Sequence, residues 1–275
     1  MILFFHETKH IGGGQSFVEA YREILRHSHL KFDFLENKID KKTIKKILHK
    51  KYTKAFVHLY SPNFLPLIIL LKLMNIHVVI TVYGLWFLEL KSQKPNISKI
   101  ETLLLYVGQG VIFCLCNRLI VFSKYEKEIL EQNFLFVKRK IRIIPGGINE
   151  KKFYPLNIIE KQQALDKLHL PKNSTIFLIL SRLERRKGIH LAIQAFGNVI
   201  KNHPDSLLCI VFPIGEYSYP EMLEEYFSQV SKLNIGQHVH FITGVNVKNV
   251  PLYFQASNFF LMSSVELETF GLSTI

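Results

Sequence analysis

Strand-length apolar runs alternate with helix-length patterns from one end of this chain to the other, and that alternation leaves few folds open. The first half predicts strands over Ile2 to His6, Lys31 to Leu35, Ala55 to Leu59, His77 to Val82, Leu119 to Phe122 and Ile141 to Ile144. Helical patterns fill the gaps, most clearly Gln15 to Arg26, Lys41 to Lys50, Phe64 to Met74, Ile100 to Cys116 and Lys124 to Asn133. Strand, helix, strand repeated in this way specifies a parallel sheet with helices on both faces. The segment Pro145 to Pro155 then has turn residues at both ends and no apolar period, as a linker between domains does. Beyond it the alternation restarts, with strands expected over Thr175 to Ser181, Leu207 to Phe212, His238 to Ile242 and Asn258 to Met262. Helices are expected over Ile189 to Ile200, Pro220 to Leu233 and Val250 to Ala256. The fold class is α/β, with two doubly wound, Rossmann-like parallel-sheet domains: residues 1–145, a linker over 146–156, and 157–275.

A chain of 275 residues that is 48% hydrophobic can build two cores of ordinary size. Its three cysteines, Cys114, Cys116 and Cys209, have no paired spacing, which supports neither a disulfide framework nor a zinc site and fits a reducing, cytoplasmic compartment. The net charge of +13 lies wholly in the first half: residues 1–155 hold 25 Lys+Arg against 12 Asp+Glu, and residues 156–275 hold 10 against 10. A one-sided basic field attracts anionic partners, among them an acidic membrane surface or a phosphorylated acceptor. No interleaved aromatic and basic stripe or reader motif supports a nucleic-acid partner. The uncharged stretch Thr102 to Asn117 is 16 residues long and holds Gly108 and Gly110, short of the ~20 apolar residues of a spanning helix, so no transmembrane helix is expected. The apolar helices are expected to fill the core, with peripheral membrane contact the other use open to them.

Two loops have the composition of ligand cradles. The first is Lys9-His-Ile-Gly-Gly-Gly-Gln-Ser16, where Gly12, Gly13 and Gly14 let backbone amides approach a ligand next to a helix N-terminus. It is not the dinucleotide fingerprint, and no acidic residue closes the second strand in the way a ribose ligand would. The second is Ser181-Arg-Leu-Glu-Arg-Arg-Lys-Gly188, which joins the first strand of the second domain to a helix. Arg182 offers a planar fork for phosphate oxygens and Lys187 a point charge, while Gly188 permits close backbone approach. Arg185 and Arg186 read as ordinary surface charge. A third feature closes the chain, where a polar turn carrying Glu268 follows the apolar run Phe259 to Met262 and Gly271 stands where a helix would begin. In open α/β sheets, ligands bind at this strand-to-helix position.

Taken together, these segments resemble the retaining, nucleotide-sugar-dependent glycosyltransferases of family 4, the group 1 glycosyl transferases of GT-B fold. The resemblance rests on Gly12-Gly-Gly-Gln-Ser-Phe-Val18, on Ile144-Pro-Gly-Gly-Ile-Asn149 with Phe153 and Pro155, on Ser181 to Ile189, and on Ser263-Ser-Val-Glu-Leu-Glu-Thr-Phe-Gly-Leu272. It implies that Arg182 and Lys187 hold the donor diphosphate and stabilise the leaving group. It implies that Glu268 contacts the donor sugar, and that Phe270, Gly271 and Leu272 begin a helix whose amides face the donor phosphates. The second glutamate of the family's pair would fall at position 276. The resemblance therefore implies an incomplete donor domain, and the chain by itself is expected to be inactive. After Val78-Val-Ile-Thr-Val82 many members place a histidine, whereas this chain has Tyr83, the acceptor-side candidate. His58 reads as a satisfied core histidine at a strand end.

The activity expected is transfer of a sugar from a nucleotide diphosphate sugar to a glycan or lipid-linked acceptor, with retention of configuration, as in cell-envelope polysaccharide synthesis. No cofactor or metal is expected, because fixed cations can stabilise the departing diphosphate. A sugar-nucleotide epimerase of the same architecture and a noncatalytic anion-binding protein are the alternative readings.

Overall fold

The structure is a computed structural model that describes residues 1–6, 21–36, 39–58, 62–93, 96–213, 220–265 and 271. The chain divides into two compact units, Met1–Gly147 and Ile148–Ile275.

The first unit is built on a six-stranded sheet in the order β2-β1-β3-β4-β5-β6, formed by β1 (Ile2–His6), β2 (Phe32–Glu36), β3 (Lys54–His58), β4 (His77–Thr81), β5 (Arg118–Val121) and β6 (Ile141–Ile143). Every pairing is parallel. Helical residues 21–26 (α1), α2 (Lys41–His49), α3 (Leu65–Leu73), α4 (Trp86–Gln93), α5 (Lys99–Leu115) and α6 (Lys124–Asn133) connect the strands. Their starts are written in the sequence as side-chain caps: Asp40 accepts from the Thr43 amide at 2.7 Å, Ser98 from that of Glu101 and Ser123 from that of Glu126. Each cap satisfies an amide that the first helical turn leaves without a partner. Pro66 sits in the first turn of α3, where its missing N–H costs nothing.

Strand alternation sends successive side chains to opposite faces, and both faces are covered. Leu3 and Phe5 of β1 enter a core with Val57, Ile80, Leu67, Ile112 and Phe113. Phe4 points the other way and stacks on Phe34 and Phe56 at 5.3 and 5.1 Å, with Arg22 of α1 lying 4.8 Å over Phe34.

The second unit has a four-stranded, wholly parallel sheet in the order β10-β7-β8-β9, from β7 (Thr175–Leu180), β8 (Ser206–Pro213), β9 (Val239–Val245) and β10 (Phe259–Phe260). Its helices are α7 (Ile158–Lys167), α8 (Ile189–Asn202), α9 (Pro220–Lys232) and α10 (Val250–Ala256). Strand β8 is interior, between β7 and β9. Leu208, Ile210 and Phe212 pack with Ile189, Ile193 and Phe196 on one face, and Leu207, Cys209 and Val211 pack with Ala164, Leu165 and Val250 on the other. A strand buried on both faces reads as a continuous apolar run, and Leu-Leu-Cys-Ile-Val-Phe is one.

Three expectations change. Two helices join the expected set: α4, and α7, which a capping box announces, since Asn157 accepts from the Glu160 amide while the Glu160 carboxylate accepts from that of Asn157. The second strand runs one residue further than expected, through Glu36, which pairs with His6. And α5 is not core throughout. Gln109, Ile112 and Phe113 are buried, but Ile100, Leu103, Leu104, Val107 and Val111 are exposed. Among the described residues no helix is long and apolar enough to cross a membrane.

Candidate functional site

Parallel strands bring their carboxyl ends to one edge of each sheet, and the candidate residues collect there. In the second unit, β7 ends at Leu180 and the chain passes through Ser181-Arg182-Leu183-Glu184 into a 3-10 turn, Arg185–Lys187, before α8 begins at Ile189. Gly188 joins the turn to the helix in the left-handed region, φ +62. A β-carbon built on it would stand 2.0 Å from the carbonyl oxygen of Ser263, closer than any side chain permits. Ser263 lies just beyond β10 and donates from Oγ to the Lys187 carbonyl at 2.7 Å. The Val265 amide donates to the Arg186 carbonyl at 2.9 Å. The loop after β10 is thereby fastened to the loop after β7, and the two border a small recess lined by Ser181, Lys187, Leu261, Met262, Ser263 and Ser264.

The basic residues of this loop have unequal roles. Glu184 is buried and takes both Arg182, through Oε1 at 2.8 Å, and Arg186, through Oε2 at 2.7 Å. The Arg182 side chain is 56% exposed and that of Arg186 only 11%. Arg185 makes a surface pair with Glu225. Arg186 is therefore not the surface charge that its place in a basic run suggests, whereas Arg185 is. Burial of the Glu184 carboxylate requires such partners, since an unpaired charge in the interior is strongly disfavoured. Lys187 lines the recess, and Arg182 stands five residues before it, held by Glu184. Glu184 is not evident from sequence, because an acid among four bases reads as solvated until its burial is known.

Gly271 is buried with φ +65, a conformation that glycine adopts without strain. Glu268, Phe270 and Leu272 lie outside the described residues, as do Gly12, Gly13 and Gly14 of the first unit.

At the carboxyl edge of the first sheet, His6 ends β1 and His58 ends β3, directly paired in register. Tyr83, two residues beyond β4, places its hydroxyl 3.0 Å from His58 Nδ1, and its ring packs on Phe122 at 5.2 Å. The rings of Tyr21 and His6 complete the group around His58 at 5.5 and 6.1 Å. Burial lowers the His58 pKa to about 3, with His6 adding to the effect. Burial, helped by the Arg22 charge, lowers that of His6 to about 4. Both rings are thus neutral near pH 7, and the Tyr83 hydroxyl faces an imidazole rather than a cation. His58 is a core histidine, as expected, and also the partner of the acceptor-side candidate.

Residues 12–152 match the family described as Glycosyltransferase Family 4, and residues 160–275 match Glycosyl transferases group 1. Spore coat protein SA of Bacillus subtilis is 26% identical over 152 residues, covering 54% of this chain and 40% of that protein. The chain spans well under half the length of the curated relatives it matches. Among solved structures, the sucrose-phosphate synthase of Thermosynechococcus elongatus superposes with a TM-score of 0.78 at 20% identity over 99% of this chain and 77% of that one. HepE of Anabaena, in complex with UDP and glucose, superposes with a TM-score of 0.73 at 15% identity over 99% and 76%. At these identities the likeness is one of fold, and that fold is GT-B.

Proposed function

Because the chain belongs to Glycosyltransferase Family 4, we propose that it transfers a sugar from a nucleotide diphosphate sugar to a glycan or lipid-linked acceptor with retention of configuration. One observation carries this reading: Lys187 and Arg182 stand at the carboxyl end of β7, on a loop fastened to the segment after β10 and leading into α8. Parallel α/β sheets bind ligands at this edge, and a helix N-terminus adds partial positive charge.

Glycosyl transfer builds negative charge on the departing diphosphate and positive charge on the sugar carbon. Cations fixed in place before reaction stabilise that charge without reorganising, which is the most effective form of electrostatic catalysis. Glu184 fixes the Arg182 guanidinium, whose remaining N–H donors can meet phosphate oxygens, and Lys187 supplies a compact charge at the recess. In this scheme Glu268 orients the donor sugar and Phe270, Gly271 and Leu272 face the phosphates. Gly12, Gly13 and Gly14 let backbone approach the donor, while Tyr83, held by His58, meets the acceptor. No metal is required. The basic first half favours an acceptor that is lipid-linked, phosphorylated or an anionic glycan, in keeping with cell-envelope synthesis. The unpaired thiols of Cys114, Cys116 and Cys209 favour a reducing, cytoplasmic setting.

UDP is the probe of first choice for calorimetric titration. The Arg182→Ala/Lys187→Ala variant is expected to bind it at least tenfold more weakly, while Arg186 still pairs the buried Glu184 carboxylate and keeps the loop folded. Equal UDP affinity in the variant would remove these residues from the donor site. Retention is read from the anomeric configuration of the product by NMR, and an inverted centre would overturn that part of the proposal.

A further inference from the structure

A 17-residue helix in a folded domain ordinarily hides its apolar stripe, and α5 leaves one in the open. Ile100, Leu103, Leu104, Val107 and Val111 are exposed, the first three at 72, 59 and 67%. Cys114 is exposed as well. Spacings of three, four, seven, eleven and fourteen residues from Ile100 fall on one side of a helix, within an arc of about 100°. The stripe runs the whole helix, about 25 Å at 1.5 Å per residue. It is not the face turned to the core, where Gln109, Ile112 and Phe113 are buried. A helix apolar on both sides is characteristic of one that meets two apolar phases.

The surroundings say what the second phase is. Phe134 anchors the neighbouring segment against α5, stacking on Tyr106 at 4.8 Å and lying against Gly110. Directly after it Leu135 and Phe136 are exposed, followed by exposed Lys138 and Arg139. Lys140 donates to the carbonyls of Phe113, Cys114 and Cys116 and so binds this basic segment to the end of the helix. Lys99 stands exposed at the other end, and Glu101 is the single acid within α5. Exposed apolar residues bordered by cations match a bilayer interface with anionic headgroups, where acyl chains receive the stripe and the lysines and arginines meet phosphates. A second copy of the chain would bring a like basic surface against this one, at a net charge of +13 each.

We propose that α5, with Leu135 to Arg139 beside it, is the surface by which this protein lies on an anionic membrane. The inference stands on exposure and charge, and it holds whether or not the donor-site reading does.

The test labels Cys114 with a polarity-sensitive fluorophore. Cys116 and Cys209 are buried, with pKa values raised to about 12 by burial, so the label goes to the stripe. Vesicles of phosphatidylcholine, alone or mixed with phosphatidylglycerol, are added at low salt and at about 0.5 M salt. A blue shift and co-sedimentation with the anionic vesicles at low salt are expected. Leu104→Glu/Val107→Glu should abolish both, and Lys138→Ala/Arg139→Ala should weaken binding by roughly tenfold or more. All four positions are exposed, so the variants keep the parent's urea midpoint. Absence of anionic-vesicle binding overturns the proposal, as does binding that the stripe variant retains. Self-association by light scattering that the stripe variant abolishes, without vesicle binding, would assign the face to a second copy instead.

Discussion

Gly188→Ala tests the close approach on which the geometry of the loop carrying Arg182 and Lys187 depends. Two costs add. An L-residue in the left-handed region loses about 1–2 kcal/mol relative to glycine, and the new β-carbon meets the Ser263 carbonyl oxygen at 2.0 Å and Val265 Cγ1 at 3.1 Å. The backbone at Ser263 must therefore move. Its movement strains two hydrogen bonds, Ser263 Oγ to the Lys187 carbonyl and Val265 amide to the Arg186 carbonyl, each worth about 1 kcal/mol. The sum is about 3–4 kcal/mol. With an m-value of about 2 kcal/mol/M, the urea midpoint of the second unit falls by roughly 1.5–2 M. Gly244→Ala separates the two costs, because Gly244 has φ +71 but nothing within 4 Å of where a methyl group would stand, so only the backbone cost of about 1–2 kcal/mol remains. Gly236→Ala, with neither feature, should be nearly neutral. If Gly188→Ala shifts the midpoint no more than Gly244→Ala does, the two loops are not held in the contact described.

Acid should weaken the first unit through its buried histidines. Their folded pKa values, about 4 for His6 and about 3 for His58, lie below the ordinary 6.5, so the unfolded chain binds the extra protons. The stabilisation is complete above about pH 6.5 and is lost as pH falls toward 4, by about 1.4 kcal/mol per pH unit for each ring. Urea midpoints at pH 7.5 and 5.0 should show it, with a flatter slope in His6→Gln/His58→Gln; equal slopes would mean that neither ring is buried neutral. Tyr83→Phe removes the hydroxyl that faces His58 and, in a protein with a complete donor domain, should raise the acceptor KM several-fold while leaving UDP affinity unchanged; a weaker UDP affinity instead would move Tyr83 to the donor side.

The strands were legible because each is a short apolar run bounded by turn residues, and their observed ends differ from the pattern by a few residues at most. Helix α7 was missed, although the Asn157 to Glu160 capping box is a signal in the sequence that marks it. Other features were hidden for physical reasons. Hydropathy is a property of the residue and not of its direction, so Ile100 to Cys116 reads the same whether it faces a core or a second apolar phase. The Tyr83 to His58 contact spans 25 residues and exists because β3 and β4 pair in parallel with His58 opposite Thr81. Arg185 and Arg186 are identical neighbours in sequence, and only the turn that carries them sends one to Glu225 and the other to Glu184.

That division makes Glu184→Gln informative about how the loop works. Glutamine keeps the shape and one acceptor but removes the charge that Arg186, nearly buried, depends on, and breaking such a pair costs about 3 kcal/mol. The stability loss is a property of Arg186. The proposed donor contact belongs to Arg182, whose exposed guanidinium is held by the other carboxylate oxygen at 2.8 Å. If Glu184 orients Arg182 for the diphosphate, Glu184→Gln weakens UDP binding, and the loss disappears when Arg182→Ala is already present, a coupling that a double-mutant cycle reads directly. If Glu184 instead competes with phosphate for the guanidinium, the same substitution tightens UDP binding. The geometry favours orientation. The carboxylate is itself pinned by Arg186, so it acts as a fixed post and leaves the outer N–H donors of Arg182 available to phosphate oxygens. Tighter UDP binding by the glutamine variant would refute that argument and make Glu184 the residue the donor has to displace.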